Sequence, residues 1–221
     1  MMHKVSKVLA GTAMAAAFTA AGSAHAGTFA TITIDDAYGD WAGVPVVDSD
    51  GADNVGGVDF FEVQIANDAD FLYIRNTYHS AKALSTFLGI DIDENVATGF
   101  DIFGLGLIGQ DAGWQNDFAF TSQSGVFNDG NGMSGDFFGG GHGLLAPFAD
   151  VTTREMAISL DALLNIDNSP LFPDDTIRML FWTDSFDGDV SGVINYTLAV
   201  PEPASMALLG LGGLTALRRK R

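Results

Sequence analysis

The sequence predicts an all-β protein, a β-sandwich with one short helix. Three observations point there. Apolar residues in the middle of the chain alternate with period two in short runs. Gly-, Asn- and Asp-rich turns punctuate those runs about every 8–12 residues. Both ends are different in kind: apolar, free of alternation and bounded by basic residues.

The elements follow in chain order. Residues Met1 to Lys7 hold His3, Lys4 and Lys7, and Val8 to Ala21 is a run of apolar and small residues. Ala24-His25-Ala26 then supplies the small-x-small pattern that signal peptidase reads, so 1–26 is expected to be an export signal helix cut after Ala26. The expected domain spans 27–200. Its predicted strands are Thr28–Ile34, Phe60–Asn67, Phe71–His79, Thr86–Asp91, Ile102–Ile108, Asp117–Thr121, Arg154–Ser159, Thr176–Thr183 and Val193–Ala199. Asn67-Asp68-Ala69-Asp70 reads as a tight turn, with Phe61, Val63 and Ile65 on one face before it and Leu72 and Ile74 on the inner face after it. A short helix is predicted at Leu160–Leu164, capped by Ser159 or Asp161. Ser122–Gly143 is a long loop whose Phe127, Phe137 and Phe138 either cover a sheet face or line a binding surface.

At the C-terminus, Pro201-Glu202-Pro203 precedes an apolar stretch from Ala204 to Leu217, and Arg218-Arg219-Lys220-Arg221 ends the chain. As a helix that stretch covers ~21 Å, short of the ~30 Å hydrocarbon core, and its basic end stays cytoplasmic. Transient membrane contact through an apolar helix is the expectation. The order of Pro-Glu-Pro, Gly-bearing apolar segment and basic cluster over 201–221 resembles the PEP-CTERM sorting signal of Gram-negative bacteria. That resemblance implies recognition by an exosortase, and export to the cell surface or extracellular matrix in organisms that make exopolysaccharide.

Charge narrows the partners. Of the 28 Asp and Glu only Glu202 lies outside Gly27–Val200, and of the ten Lys and Arg only Arg75, Lys82, Arg154 and Arg178 lie inside it, a formal charge of −23 for that segment. Such a surface repels nucleic acid and anionic lipid headgroups. It suits divalent cations or neutral glycans. The chain has no cysteine, which excludes thiol chemistry and disulfide staples.

The run Ile34-Asp35-Asp36-Ala37-Tyr38-Gly39-Asp40-Trp41 with Val44-Pro45 resembles the opening of family 9-like carbohydrate-binding modules. Val58–Val63, Asn67–Ile74 and Ile90–Phe100 resemble that family's first hairpin and its acidic loop. The resemblance runs from Thr33 to Ala199. It implies a jelly-roll-like sandwich, bound calcium and, in some members, glycan binding.

The leading metal candidate is Asp91-x-Asp93-x-Asn95, with Asp101 as a further ligand and Gly99 supplying part of the curl. Hard cations take several oxygens at about 2.3–2.6 Å, and oxygens at i, i+2 and i+4 converge only in a tight turn. The alternative is a solvated acidic turn. A second acidic group is Asp48, Asp50, Asp53 and Asp59, read as a cation site or a loop; a third is Asp184, Asp187 and Asp189 around Gly188, read as a turn, with a ligand role as the alternative. For ligand contact the composition favours Trp114-Gln115-Asn116, an indole to stack on sugar beside amides to bond hydroxyls, against a Trp114 buried in the core. Trp182 is the weaker candidate, and Trp41 is expected in the core beside Pro45. Phosphate-loop, zinc-protease and nucleophile-elbow motifs do not occur. The expected function is therefore non-enzymatic: an exported, calcium-held module that binds or associates with exopolysaccharide. The alternatives are a structural biofilm-matrix protein with no discrete ligand site and an exopolysaccharide hydrolase.

Overall fold

The computed structural model describes residues 23–54, 56–134, 142–184 and 188–201. Most of the expected leader helix and nearly all of the sorting tail lie outside them, as do Phe137, Phe138 and Asp187. In chain order the strands are β1 Ser23–Ala26, β2 Val46–Ser49, β3 Phe60–Asn67, β4 Phe71–Tyr78, β5 Thr86–Asp91, β6 Phe100–Asp101, β7 Gly109–Gln110, β8 Ala112–Gln115, β9 Phe118–Thr121, β10 Met133–Ser134, β11 Leu144–Ala146, β12 Thr153–Ser159, β13 Leu163–Leu164, β14 Thr176–Thr183 and β15 Ile194–Thr197. A six-stranded sheet runs β1-β15-β14-β5-β8-β9, and a five-stranded sheet runs β11-β12-β4-β3-β2. Two short ladders, β6 with β7 and β10 with β13, trim the loops.

Alternation decides what fills the space between the sheets. Val63 and Ile65 of β3, Leu72 and Ile74 of β4, and Met156 and Ile158 of β12 meet Leu88 and Ile90 of β5 and Ile177, Met179 and Phe181 of β14. These inward residues recur at i and i+2, as a pleated strand requires. The residues between them face outward, yet they too are covered. On the six-stranded sheet, Phe87, Leu180 and Trp182 join Phe120, Ile102 and Ile108 in a second apolar layer. Phe87 stacks on Trp182 with centroids 4.3 Å apart, and Phe127 packs edge-on against both. Phe127 thus covers a sheet face, the first of its two expected roles.

The outer face of the five-stranded sheet is covered by the segment before β2. Ile32, Trp41 and Val44 pack on Ala66, Tyr73 and Ala157. The predicted strand Thr28–Ile34 lies here. Its apolar alternation is real, but the segment lies over the sheet with a single bridge, Phe29 to Asn67, and joins neither ladder. The Ile34–Trp41 motif is pinned from below by Glu155, which is fully buried. Its Oε1 accepts the Asp35 and Asp36 N–H groups, both at 2.8 Å, and its Oε2 accepts Trp41 Nε1–H at 2.8 Å. A buried carboxylate is tolerable when donors surround it in this way.

Other expectations shift for identifiable reasons. Phe61 does not share a face with Val63 and Ile65: a register shift between Phe60 and Glu62 turns Phe60 inward and leaves Phe61 exposed. Ile102–Ile108 is a 3₁₀ turn and loop with left-handed Phe103, held by its apolar side chains over the sheet. No helix forms at Leu160–Leu164. Ser159 Oγ does accept the Asp161 N–H at 3.2 Å, but Leu163–Leu164 returns as β13, and one turn of helix has too few bonds to stand alone. Ser23–Ala26, expected at the end of a leader helix, is an edge strand parallel to β15, with Ala24 opposite Asn195 and Ala26 opposite Thr197.

Candidate metal centre and ligand face

β5 is buried along its whole length and ends in Asp91. Its neighbour β8 follows directly on Asp111, whose N–H bonds the Ile90 carbonyl at 2.9 Å. These two strand ends and the turn after β5 bring Asp91, Asp93 and Asp111 together, one carboxylate oxygen of each lying within 4.8 Å of the others. Asp91 and Asp111 are buried and Asp93 is exposed, so the group is a cup with one open side.

The turn that carries Asp93 is tightly specified. The Asn95 N–H bonds Asp91 Oδ1 at 3.1 Å and Asp93 Oδ1 at 3.0 Å. Thr98 Oγ1 donates to the Asp93 carboxylate at 2.9 Å. Gly99 has φ +66°, and a Cβ there would stand 2.6 Å from the Gln110 carbonyl. A Cβ on Gly109 would stand 2.0 Å from the Thr98 carbonyl. Only glycine lets the turn close on the strand at these two positions.

One cation belongs to the group. Arg178 of β14, opposite Asp91 in the ladder, places Nη1 3.5 Å from Asp91 Oδ2. Burial still pushes the Asp91 carboxyl up, with Gly109 N–H and Arg178 opposing. Burial also pushes Asp111 up, to about 6, aided by the charges of Asp93 and Asp91. Three crowded carboxylates, two of them buried, form an oxygen donor set of the kind hard divalent ions take.

Two of the four sequence-predicted ligands sit in this group. Asn95 contributes its N–H to the turn, while its Oδ1 accepts the Ala97 N–H at 3.1 Å. Asp101 lies in a different turn, where its Oδ1 accepts the Gly106 N–H at 2.8 Å. Asp111, which sequence reasoning missed, takes the place expected of them. The available signal was a carboxylate between Ile108 and Ala112-Gly113-Trp114, amid residues that bury.

The structure also joins the two remaining acidic groups. Asp50 and Asp53 meet Asp189, again with one oxygen of each within 4.8 Å of the others. Asp48 lies just beside them, accepting the Gly192 N–H at 3.1 Å.

The expected ligand face is rearranged. Trp114 is 1 % exposed, and its Nε1–H bonds the His142 carbonyl at 3.2 Å. Its faces pack between the sheets and cannot stack on a sugar. Trp41 and Trp182 are buried as well, at 2 % and 4 %. Trp182 Nε1–H bonds Gln110 Oε1 at 3.0 Å. Asn116, left-handed in the β8–β9 turn, accepts the Arg154 Nη1–H on its Oδ1 at 2.7 Å. Beside it a cavity with room for about one water is lined by Asn76, Thr86, Trp114 and Arg154. The aromatic at the surface here is Phe118, 60 % exposed and paired with Gln115 across the turn.

Residues 199–221 match the PEP-CTERM protein-sorting motif, so the chain carries the mark of an exported protein sorted to the cell surface. No curated protein matches the chain. Among solved structures, it is similar to a family 9 carbohydrate-binding module from Caldicellulosiruptor kristjanssonii in complex with cellotriose, at 11 % identity and TM-score 0.47 over 82 % of this chain and 96 % of that one. The same module in complex with glucose aligns at 12 % identity and TM-score 0.43, over 81 % and 98 %.

Proposed function

We propose that this chain is a non-catalytic surface protein whose β-sandwich, stabilised by calcium at Asp91, Asp93 and Asp111, is sorted by an exosortase and associates with exopolysaccharide. The sorting motif at 199–221 carries this reading. It gives the acidic sandwich an address outside the inner membrane, where its charge is an asset in a hydrated, cation-rich matrix. Export by this route engages signal peptidase at Ala24 and Ala26 first. The exosortase then acts on Pro201, Glu202 and Pro203, with Arg218, Arg219, Lys220 and Arg221 keeping the tail end cytoplasmic. The test is fractionation of an exosortase-bearing Gram-negative host expressing the full chain. Wild type is expected at the surface or in the matrix, and a Pro201→Ala, Glu202→Gln variant in the inner-membrane fraction. Equal partitioning of the two sinks the reading.

A second reading, a structural matrix protein with no discrete ligand site, is favoured by one observation: all three tryptophans are buried. Phe118 separates the two. If polysaccharide contacts are specific, Phe118→Ala lowers co-sedimentation with the host's exopolysaccharide severalfold while melting unchanged, because an exposed ring contributes little to the fold. Equal co-sedimentation of variant and wild type leaves the structural reading standing.

A further inference from the structure

The loop after β2 and the segment before β15 come from different sheets and meet at one seam. Asp50 and Asp53 stand on the first, Asp189 on the second. The start of β3 is gripped between them: the Asp50 N–H bonds the Phe61 carbonyl at 2.8 Å, and the Phe60 N–H bonds Asp189 Oδ2 at 2.5 Å. Asp59, the residue immediately before Phe60, is only 5 % exposed, and its Oδ1 has no hydrogen-bond partner. Thr183, whose N–H bonds the Asp189 carbonyl at 3.2 Å, also has a buried Oγ1 without a partner.

Among the described residues no ion pair answers these charges; the one ion pair is Arg178 with Asp91, at the other acidic group. Lys82 reaches the same loop, but its ammonium bonds the Gly56 carbonyl. The His79 ring lies against the Asp50 carbonyl, not its carboxylate. A buried carboxylate oxygen with neither donor nor counter-charge is costly, and the buried Thr183 Oγ1 is in the same state.

We propose that Asp50, Asp53 and Asp189, with Asp59 behind them, form a second divalent-cation site that ties the loop after β2 to the segment before β15. The donor set is all oxygen and carries no built-in cation, which selects calcium-like hard ions over softer metals. The ion bridges the edge strand of the five-stranded sheet to the approach of β15 in the six-stranded sheet, so it closes the sandwich at that seam. This site stands apart from the Asp91 group and does not depend on it.

Calcium alone is the probe. The purified full chain, stripped with chelator, is titrated by calorimetry and weighed by native mass spectrometry. Two equivalents are expected. Asp53→Asn, an exposed and near-isosteric change, is expected to weaken one equivalent by about tenfold or more, since affinity follows the number of charged ligands. Asp189→Asn, which keeps an oxygen for the Phe60 N–H, is expected to do the same. Asp93→Asn is expected to weaken the other equivalent and spare this one. Hydrogen exchange adds a local readout: chelation accelerates exchange at Phe60 and Gly192 in wild type and has no further effect in Asp53→Asn. Unchanged stoichiometry and affinity in both Asp53→Asn and Asp189→Asn overturns this proposal even if Asp93→Asn loses an ion. Loss in Asp53→Asn with none in Asp93→Asn upholds this site and overturns calcium at the Asp91 group. No binding in wild type overturns both.

Discussion

The two acidic groups are alike in composition and opposite in construction. Asp91, Asp93 and Asp111 sit at strand ends, take N–H and O–H donors from their own turn, and include Arg178. Asp50, Asp53 and Asp189 sit on a loop and a strand approach, with an unpartnered Asp59 oxygen next along the chain to Phe60 and, among the described residues, no ion pair to a basic side chain. The first neutralises part of its charge with the protein's own atoms. The second accepts backbone N–H groups but has no ion pair among the described residues, and leaves its net charge to the medium. Carboxylate count alone therefore says little about how strongly a site depends on an imported ion; the donors and cations already present decide it.

Three experiments test that contrast, from the largest expected effect to the smallest. Arg178→Ala removes the resident cation and leaves Asp91 buried and uncompensated. In the calcium-free protein the expected loss is about 3 kcal/mol by chemical denaturation, and added calcium should restore part of it. If the loss stays under about 0.5 kcal/mol, the pair is no better than a surface contact and the contrast collapses. Next, chelating the wild type is expected to lower the melting temperature by several degrees, because an ion that binds only the folded chain stabilises it. An unchanged melting curve removes calcium from both groups.

The smallest effect concerns a carboxylate satisfied by neutral donors alone. Burial opposes ionisation of Asp68. The Tyr73 hydroxyl at 2.6 Å and the Asp70 and Phe71 N–H groups at 2.9 Å outweigh it and hold the carboxyl below its usual range. A carboxyl lowered in the fold stabilises above its ordinary pKa and loses that contribution as pH falls through the lowered value. Tyr73→Phe should cost about 1 kcal/mol at neutral pH, with the difference shrinking in acid and indifferent to calcium. A calcium-dependent difference would mean that the three kinds of carboxylate are not independent.

Much of this architecture could be read from residue order, and the exceptions are instructive. β3, β5 and β14 fall where alternation and turn residues put them, because a strand buried on at least one face must repeat every two residues. Thr28–Ile34 shows the same repeat without pairing, since alternation records a packed face and not a hydrogen-bonded edge. Ala112–Gln115 was missed because Ala112 and Gly113 carry little apolar signal, although Gly113 is needed where a Cβ would stand 2.8 Å from the Phe120 ring. Two of the three carboxylates in that group, Asp91 and Asp93, were legible because they are close along the chain. Asp111 and Asp189 were not, because only the sheet topology brings them to their partners. Trp114 misled by its neighbours: the adjoining amides lie at a turn, while the indole, two positions earlier, already points into the core.

The edge strand Ser23–Ala26 finds its partner at the opposite end of the chain, in Ile194–Thr197. A polypeptide that crosses a membrane N-terminus first delivers that partner last. Until then the Ala26–Gly27 bond has no neighbour to shield it; once β15 arrives, a Cβ on Gly27 would stand only 2.3 Å from the Thr197 carbonyl. If, as proposed, signal peptidase cuts after Ala26, the wiring of the six-stranded sheet sets a clock: the junction stays open until the final strand emerges, and a cut made before then removes β1 with the leader. Leader removal that outpaces the gain of protease resistance would register that order, and the reverse would deny it.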